Sequence, residues 1–522
     1  MEPAEGSERV DTFSSKVSLN VATNVARTLI MSLIGFLMVP YYIGEFGLSA
    51  YAIIPLATSI TTYFIAVSDA LANAFTRYMT ISLQNGDEEG AKRTFTSSVT
   101  GMAKCMMLLL PAVAVLSYLS PYIFDVADSS YFSVQVMFFM VLSSALLISF
   151  SASLCSVFMA YNKLYITYAS KILHCVLQVV FVLAFFFTMG PSLIYLGASY
   201  MLAAVAFLLV IVINVRRVCP FLRVSRNYYD KGLLKQMSNL GVWTVVSQMG
   251  TLLFIQASMI IVNLMVGSES QGSFSIAANV ISIVNSGCIS LSAAVVPLVY
   301  RDYANKDYDG MVTTLKVFTK FVGLCMAFPL AFLILFAPQI IGLWLGPGYD
   351  ELFPMLYVML PVQITVCTVY ALLDVPVVFL KMKLVAKVTM IGGLLNIVLA
   401  VLSIYSGLGV LGVCGAWAIS TLFLYLGFYP VYASVLTDHS YFRYFKPIIL
   451  THAVFIVLMA VGYLTSKYFT MPTSWIIVLS TFFVSFIIYF FIVMHFAFRG
   501  KEKEAVLSYL PGFVQKIISY RF

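Results

Sequence analysis

Long apolar runs separated by short polar breaks fill the chain from about residue 17 to 498. A bilayer core about 30 Å thick takes roughly 20 apolar residues per helical crossing. On that scale the pattern predicts fourteen helices, over about 17–43, 48–78, 94–118, 131–160, 164–188, 192–214, 233–266, 273–299, 311–337, 352–379, 385–405, 410–433, 446–465 and 474–498. Several are longer than a crossing needs, so they should tilt, kink or extend past the hydrocarbon. Pro40, Pro55, Pro111, Pro297, Pro329 and Pro376 fall within or near helix ends. Neighbouring helices can satisfy the carbonyls that these prolines free. No polar break is long enough to hold a domain, and the largest is the basic stretch Val215 to Gly232. The expected fold class is an all-α polytopic membrane protein.

Composition removes the alternative of a soluble enzyme. Of 522 residues, 61% are hydrophobic and 10% charged, where a soluble domain carries about 25% charged residues. The segment Met1 to Lys16 is polar and bears Glu2, Glu5, Glu8 and Asp11. That is the wrong charge for a signal peptide, so the first apolar run is expected to stay as a membrane helix. The eight cysteines show no CxxC pairing and mostly sit in apolar runs. They read as small buried hydrophobes, with neither a disulfide framework nor metal-ligand spacing.

Net charge is +8, from 30 Lys and Arg against 22 Asp and Glu. With a cytoplasmic N-terminus, the inner breaks hold Lys92, Arg93, Lys163, Arg216, Arg217, Arg223, Arg226, Lys231, Lys306, Lys381, Lys383 and Arg443. The tail adds Arg499, Lys501 and Lys503. The outer breaks hold Glu45, Asp125, Asp128, Glu269, Asp350 and Glu351, with Lys467 as their single cation. A wrong helix count would swap the sides partway along and spoil this asymmetry. Both termini are therefore expected on the cytoplasmic side, and the excess charge reads as topology rather than as a nucleic-acid surface.

An internal repeat accompanies the helix count. A shift of 220 positions lays Asn85, Asp87 and Gly90 on Asn305, Asp307 and Gly310, and Gly47 on Gly267. A shift of 218 lays Lys163 on Lys381, Gln178 on Asn396 and Gly197-Ala198 on Gly415-Ala416. Six helices is an even number, so the repeats are parallel, an arrangement common in transporters. The expected organisation is an N-terminal lobe of six helices over 1–214, a basic cytoplasmic linker at 215–232 and a second six-helix lobe over 233–433. Two further helices fill 434–498, and a cytoplasmic tail follows at 499–522.

Ionisable groups inside membrane helices cost about 2.5–3.5 kcal/mol on insertion scales, so each is a functional candidate. Arg27 lies about a third of the way into the first helix, on a face with Asn20, Thr23 and Asn24. That spacing suits a helix lining a watery cavity, or an ion pair within the bundle. Asp69, Asn73 and Arg77 mark one face of the second helix. Arg77 can snorkel to the inner interface, and Asp69 can pair with Arg27. Lys104, in the third helix, has a stem long enough to reach the headgroups. Lys171 and His174 share a face of the fifth helix with Gln178, His174 being either a packing residue or a proton relay. Asp374 is the single acid of the tenth helix, with Lys381 seven residues on to neutralise it.

The second lobe offers Thr244, Gln248, Gln256, Asn263, Asn279 and Asn285, and Arg301 ends the eighth helix beside Asp302. Amides at such spacings bind sugar hydroxyls or hold helices together. The imbalance suggests a cavity whose first lobe attracts anions while the second gives neutral hydrogen bonds. Nothing in the sequence has the form of a nucleotide cradle, a metal site or a nucleophile elbow, and the outer carboxylates sit in short loops. Catalysis and cofactors are not expected.

These residues resemble the polysaccharide and O-antigen (oligosaccharidyl-lipid) flippases of the multidrug/oligosaccharidyl-lipid/polysaccharide exporter superfamily. The similar stretches run from Asn24 through Pro40-Tyr41-Tyr42, Gly47 and Tyr51 to Arg77-Tyr78, then Asn85-Gly86-Asp87-Glu88-Glu89 and Lys92-Arg93. A second runs from Lys381 through Asn396 to Gly409, Gly412 and Gly415-Ala416. The resemblance implies alternating-access export of a polyprenyl-(pyro)phosphate-linked oligosaccharide across the cytoplasmic membrane, for surface polysaccharide synthesis. Arg27 and Arg77, with Lys104, Asn24 and Asn73, would then meet the headgroup. Asp69, His174 and Asp374 would be candidates for coupling to H+ or Na+, while Gln248, Gln256 and Asn279 would line the second lobe. Partners would be the lipid-linked oligosaccharide and membrane lipids. The chain departs from related lipid flippases in lacking an eighth-helix arginine before Arg301. It also has Ser68-Asp69-Ala70-Leu71 where the family more often has a glycine before the leucine. A multidrug cation antiporter shares the fold, but usually with twelve helices and an acid in the first. A membrane polymerase or ligase is disfavoured by the short outer loops.

Overall fold

The computed structural model describes residues 4–498, apart from Asp128, 293–294 and 467–473, together with Gly500, Glu502 and Lys503; the side chains of 4–18, 239–244 and 466 are excluded. The acids of the N-terminal segment, Asp128, Lys467, Arg499, Lys501 and the Thr244 side chain, on which expectations rested above, lie outside the described residues.

Among the described residues fourteen helices are long and apolar enough to cross a membrane. They are α1 Leu19–Phe46, α2 Leu48–Gln84, α3 Glu88–Ile123, α4 Tyr131–Ala160, α5 Leu164–Met189, α6 Leu193–Val218, α7 Val245–Met265, α8 Ser268–Ala304, α9 Tyr308–Leu335, α10 Leu352–Val378, α11 Met382–Tyr405, α12 Gly409–Thr437, α13 Phe442–Thr465 and α14 Trp475–Phe496. The number is the one the apolar runs predict. The ends differ where polar helix extends past the hydrocarbon, as in α2 and α3. The span α7 likewise continues a helix that begins at Lys231.

The two repeats share their turn geometry. Asp87 and Asp307 each cap the following helix, accepting the backbone N–H of Gly90 and Gly310 at 2.8 Å. Before each, an asparagine ends the preceding helix, Asn85 at φ −81° and Asn305 at φ −80°. The left-handed position between them is Gly86 in one copy and Lys306 in the other. Residues 218 apart agree as closely. Lys163 and Lys381 take φ −112° and −106°, each after a left-handed residue, Asn162 or Leu380. Matched carboxylate caps at matched turns are the physical content of the weak sequence repeat.

By packing, the chain divides into two compact units, Met1–Ser275 and Ile276–Phe522. In the first, α4 is the central strut, packed against α2, α3 and α6. Its buried serines 143, 144, 149, 151, 153 and 156 keep its surface small, which lets backbones approach closely in a membrane. Where α4 crosses α6, a Cβ on Gly197 would stand 3.0 Å from the Met137 Cα. The helix carrying α7 also packs along α2 and α3, with Leu234 filling the space over Gly101. It thus belongs by packing to the first unit. The boundary read at 215–232 follows chain connectivity, and the side-chain contacts run across it.

In the second unit α9 holds the centre against α10 and α13. Gly323 lets it approach Thr368 and Thr451, and the Tyr489 hydroxyl of α14 donates to the Leu324 carbonyl at 2.7 Å. Lys320, buried on α9, meets the Glu502 carboxylate at 2.9 Å and lies over the Phe498 ring. Two irregular turns interrupt this unit. A 3-10 turn over Tyr370–Asp374 precedes Pro376 in α10, and a π-turn over Phe423–Phe428 precedes Pro430 in α12. Such breaks re-aim side chains inside a membrane bundle.

Candidate functional site

The polar groups of the first unit converge on one cavity. Asp69 and Asn73 of α2 line a space of about 380 Å³ with Tyr168 and Lys171 of α5, Ser149 and Cys155 of α4, and Gln248 of α7. Spacings of four residues on α2 and three on α5 set each pair on one helix face, so two helices deliver four polar groups to one place. Asp69, Asn73 and Gln248 are exposed to this space although they lie mid-helix.

Lys171 lies on the same cavity wall as Asp69. Pairing with Arg27 was one expectation, but among the described residues no ion pair joins Asp69 to Arg27 or to Lys171. Arg27 is turned toward α5. Its Nη2 donates to Asn24 Oδ1 at 3.0 Å, and its guanidinium carbon stands 5.5 Å from the Tyr168 ring centroid. Tyr168 is itself a wall of the cavity, so Arg27 approaches the rim through that ring. A guanidinium over a tyrosine face is stabilised by the ring quadrupole, which lets a charge sit within a membrane helix.

The polar stripe on α1 splits into two jobs. Asn24 orients Arg27. Asn20 is buried and holds the α4–α5 turn: its Nδ2 donates to Asn162 Oδ1 at 2.9 Å, and its Oδ1 accepts from the Tyr165 N–H at 2.8 Å. Thr23 donates back to the Leu19 carbonyl. Asn20 and Thr23 are therefore structural, where periodicity alone had grouped them with a cavity face.

The remaining sequence candidates lie elsewhere. Arg77 is exposed, two turns from Asn73's neighbour Asp69 on the same face, and is absent from the cavity wall. Lys104 stands 4.2 Å from the Tyr229 ring centroid, so an aromatic of the basic stretch occupies it. His174 is half-buried, its ring meeting that of Phe207 edge to face with centroids 5.7 Å apart. Lys171 was read on the His174 face, but its place opposite Asp69 needed the fold. Tyr168 carried no signal beyond being three residues before Lys171.

In the second unit, Asp374 ends the 3-10 turn of α10 and lies near Tyr300 and Tyr370. No ion pair joins it to Lys381 among the described residues. The helix ends at Val378, and the left-handed Leu380 that follows destroys the helical register that put the two on one face. The rings of Tyr425 and Tyr429 lie nearby, tilted by 51° with centroids 5.6 Å apart. Asn279 is half-buried in this unit, whereas Gln248 and Gln256 fall in the first. Arg301 pairs with the buried Asp302 at 2.9 Å, and Thr314 donates to the other carboxylate oxygen.

Fourteen membrane helices in two parallel repeats, with charged groups gathered inside the first unit, define a polytopic transporter fold. The fold is shared with solved structures of membrane transporters. The chain is similar to an inward-facing MATE family multidrug resistance transporter of the MOP superfamily, with TM-score 0.64 and 14% identity over 80% of this chain and 99% of that one. It is also similar to a MATE protein in complex with MaL6, with TM-score 0.59 and 15% identity over 80% and 97% of the two chains. A curated relative, the uncharacterized membrane protein EpsK of Bacillus subtilis (strain 168), is 24% identical over 443 residues, covering 84% of this chain and 88% of that protein. The family described as Polysaccharide biosynthesis protein matches residues 18–301. The chain belongs to that family, and its fold is that of the MATE transporters.

Proposed function

We propose that this transporter moves a polyprenyl-(pyro)phosphate-linked oligosaccharide across the cytoplasmic membrane by alternating access, with both termini in the cytoplasm. The observation that carries the reading is the first unit's cavity, where Lys171, with Arg27 at the rim over Tyr168, outnumbers the single acid Asp69. A diphosphate in a site of low dielectric gains from cations whose own desolvation the fold has already met. Asn73 and Gln248 supply neutral hydrogen bonds beside them. Arg77, exposed on the same α2 face, receives the headgroup as it enters, and Lys104 attracts it from the inner interface.

Asp69 facing Lys171 is the candidate coupling pair. An arriving phosphate competes for Lys171 and releases the carboxylate to take a proton or Na+. His174 and Asp374 are weaker candidates for the same role, the first packed on Phe207 and the second beside Tyr370. The acid in the cavity favours one rival, a cation antiporter like the multidrug transporters of this fold. The test is a strain in which Arg27→Gln is combined with Lys171→Gln at unchanged protein abundance. Surface polysaccharide should be lost and its lipid-linked precursor should accumulate. Normal polysaccharide together with lost resistance to cationic drugs would establish the rival.

A further inference from the structure

A second cavity of the first unit lies away from this site. It has a volume of about 680 Å³ and is walled by α3, α4 and α6, with the strand of chain that follows α6 lying across it. Pockets of roughly 300–1,000 Å³ hold a ligand. Its walls include Phe95, Val99, Leu154 and Val215, all four belonging to the buried core of this unit. The space therefore reaches into the core and is more than a groove in the lipid-facing surface.

The covering strand is fixed at two points. Leu222 is 3% exposed within the core, and Lys92 lies over the Phe221 ring at 5.8 Å. Two guanidinium side chains, Arg216 at the end of α6 and Arg223 on the strand, complete the lining. Both are exposed, and among the described residues neither has a carboxylate within ion-pair distance. A slot with apolar side chains deep in its wall and two arginines at its mouth, neither with a carboxylate partner among the described residues, matches a molecule with a hydrocarbon chain and an anionic head. Basic pockets between membrane helices on the cytoplasmic side bind anionic lipid headgroups.

We propose that this cavity is a site for one anionic phospholipid of the inner leaflet, its phosphate on Arg216 and Arg223 and one acyl chain against Phe95, Val99 and Leu154. The site is separate from the substrate cavity, and its occupancy braces the covering strand against α3 and α6. A free phosphate would satisfy the arginines but leave the apolar walls empty, so the lipid is the occupant to which the chemistry commits.

The test uses the full chain in nanodiscs of phosphatidylcholine mixed with phosphatidylglycerol, released gently for native mass spectrometry. The wild type should retain phosphatidylglycerol in preference to phosphatidylcholine. Arg216→Gln with Arg223→Gln should weaken that retention about thirtyfold, at about 1 kcal/mol per arginine. Val99→Trp, which fills the slot and keeps both cations, should remove it as well. Arg217→Gln with Arg226→Gln, neighbours in the same basic stretch outside the cavity, should leave it intact. Equal loss in that control pair would reduce the effect to diffuse charge and overturn the proposal. So would displacement of the lipid by inorganic phosphate alone, or equal retention of phosphatidylcholine. Size-exclusion profiles separate a misfolded variant from an empty site, and retention by a folded Val99→Trp protein would also overturn it.

Discussion

The Asn263 carboxamide grips the main chain of Asp125 at both groups: its Oδ1 accepts the Asp125 N–H and its Nδ2 donates to the Asp125 carbonyl, each at 3.0 Å. Asp125 in turn accepts the Ser268 N–H on Oδ2 at 2.7 Å. The break after α3 is thus bound to the break after α7, two segments separated by 138 residues. Asn263 is buried at 2% exposure, so Asn263→Ala leaves two main-chain groups without partners. A loss of about 1–3 kcal/mol is expected, read as a fall in the thermal midpoint of the purified protein. An unchanged midpoint would mean that water replaces the carboxamide.

The same contact predicts a pH dependence. The Ser268 N–H holds the Asp125 carboxyl below the usual carboxylate range. Its folded value is therefore lower than its unfolded one, about 3.9. The contribution is fully present above the unfolded value and is lost as pH falls through the folded value. The thermal midpoint of the wild type should exceed that of Asp125→Asn at neutral pH, and the gap should close in acid. A gap that persists at low pH would assign the effect to something other than the charge.

Asp69 and Lys171 are expected to depend on each other. Asp69→Lys alone should abolish export, and Lys171→Asp added to it should restore part of the activity. Combining Asp69→Arg with Arg27→Asp should restore none, because Arg27 is turned to Asn24 and Tyr168. Surface polysaccharide measured at matched abundance decides between the two pairings. Rescue by the Arg27 swap would contradict the geometry.

Gly272 sits where α8 begins, and a Cβ there would stand 2.9 Å from the Leu48 carbonyl oxygen. Backbone cannot move aside as a side-chain tip can, so Gly272→Val should cost about 1–3 kcal/mol. By contrast, Gly287 has a side-chain methyl at 3.9 Å as its nearest neighbour, and Gly287→Ala should be close to neutral. Thermal midpoints of the two variants make the comparison.

Lys320 tests the charge buried on α9. Glu502→Gln removes the carboxylate at 2.9 Å from its ammonium, leaving an ion at 9% exposure without its counter-charge. Breaking one side of a buried pair costs about 3–5 kcal/mol; with Glu502 itself only partly covered, the smaller figure is expected. Lys320→Met added to Glu502→Gln should recover most of the midpoint. A double variant as unstable as the single would show that Phe498 packing, and not charge, dominates.

The sequence by itself determined the helix count, the membrane environment and the parallel repeat. Each rests on local chemistry: twenty apolar residues span a bilayer wherever they occur, and Asp87 or Asp307 caps its helix through a residue three positions away. Helical periodicity also put Asp69 on the same face as Asn73. The tertiary structure alone decided what those faces meet. It set Lys171 opposite Asp69 and turned Arg27 onto Tyr168, and it spent Asn20 on the α4–α5 turn and packed α7 against α2. It broke the register between Asp374 and Lys381 by ending the helix at Val378, before the left-handed Leu380. A stripe on a helix fixes a direction, but the partner in that direction comes from residues far along the chain. Which distant helix arrives there is set by small-residue contacts such as Gly197 against Met137, and these are too short-ranged to leave a trace in periodicity.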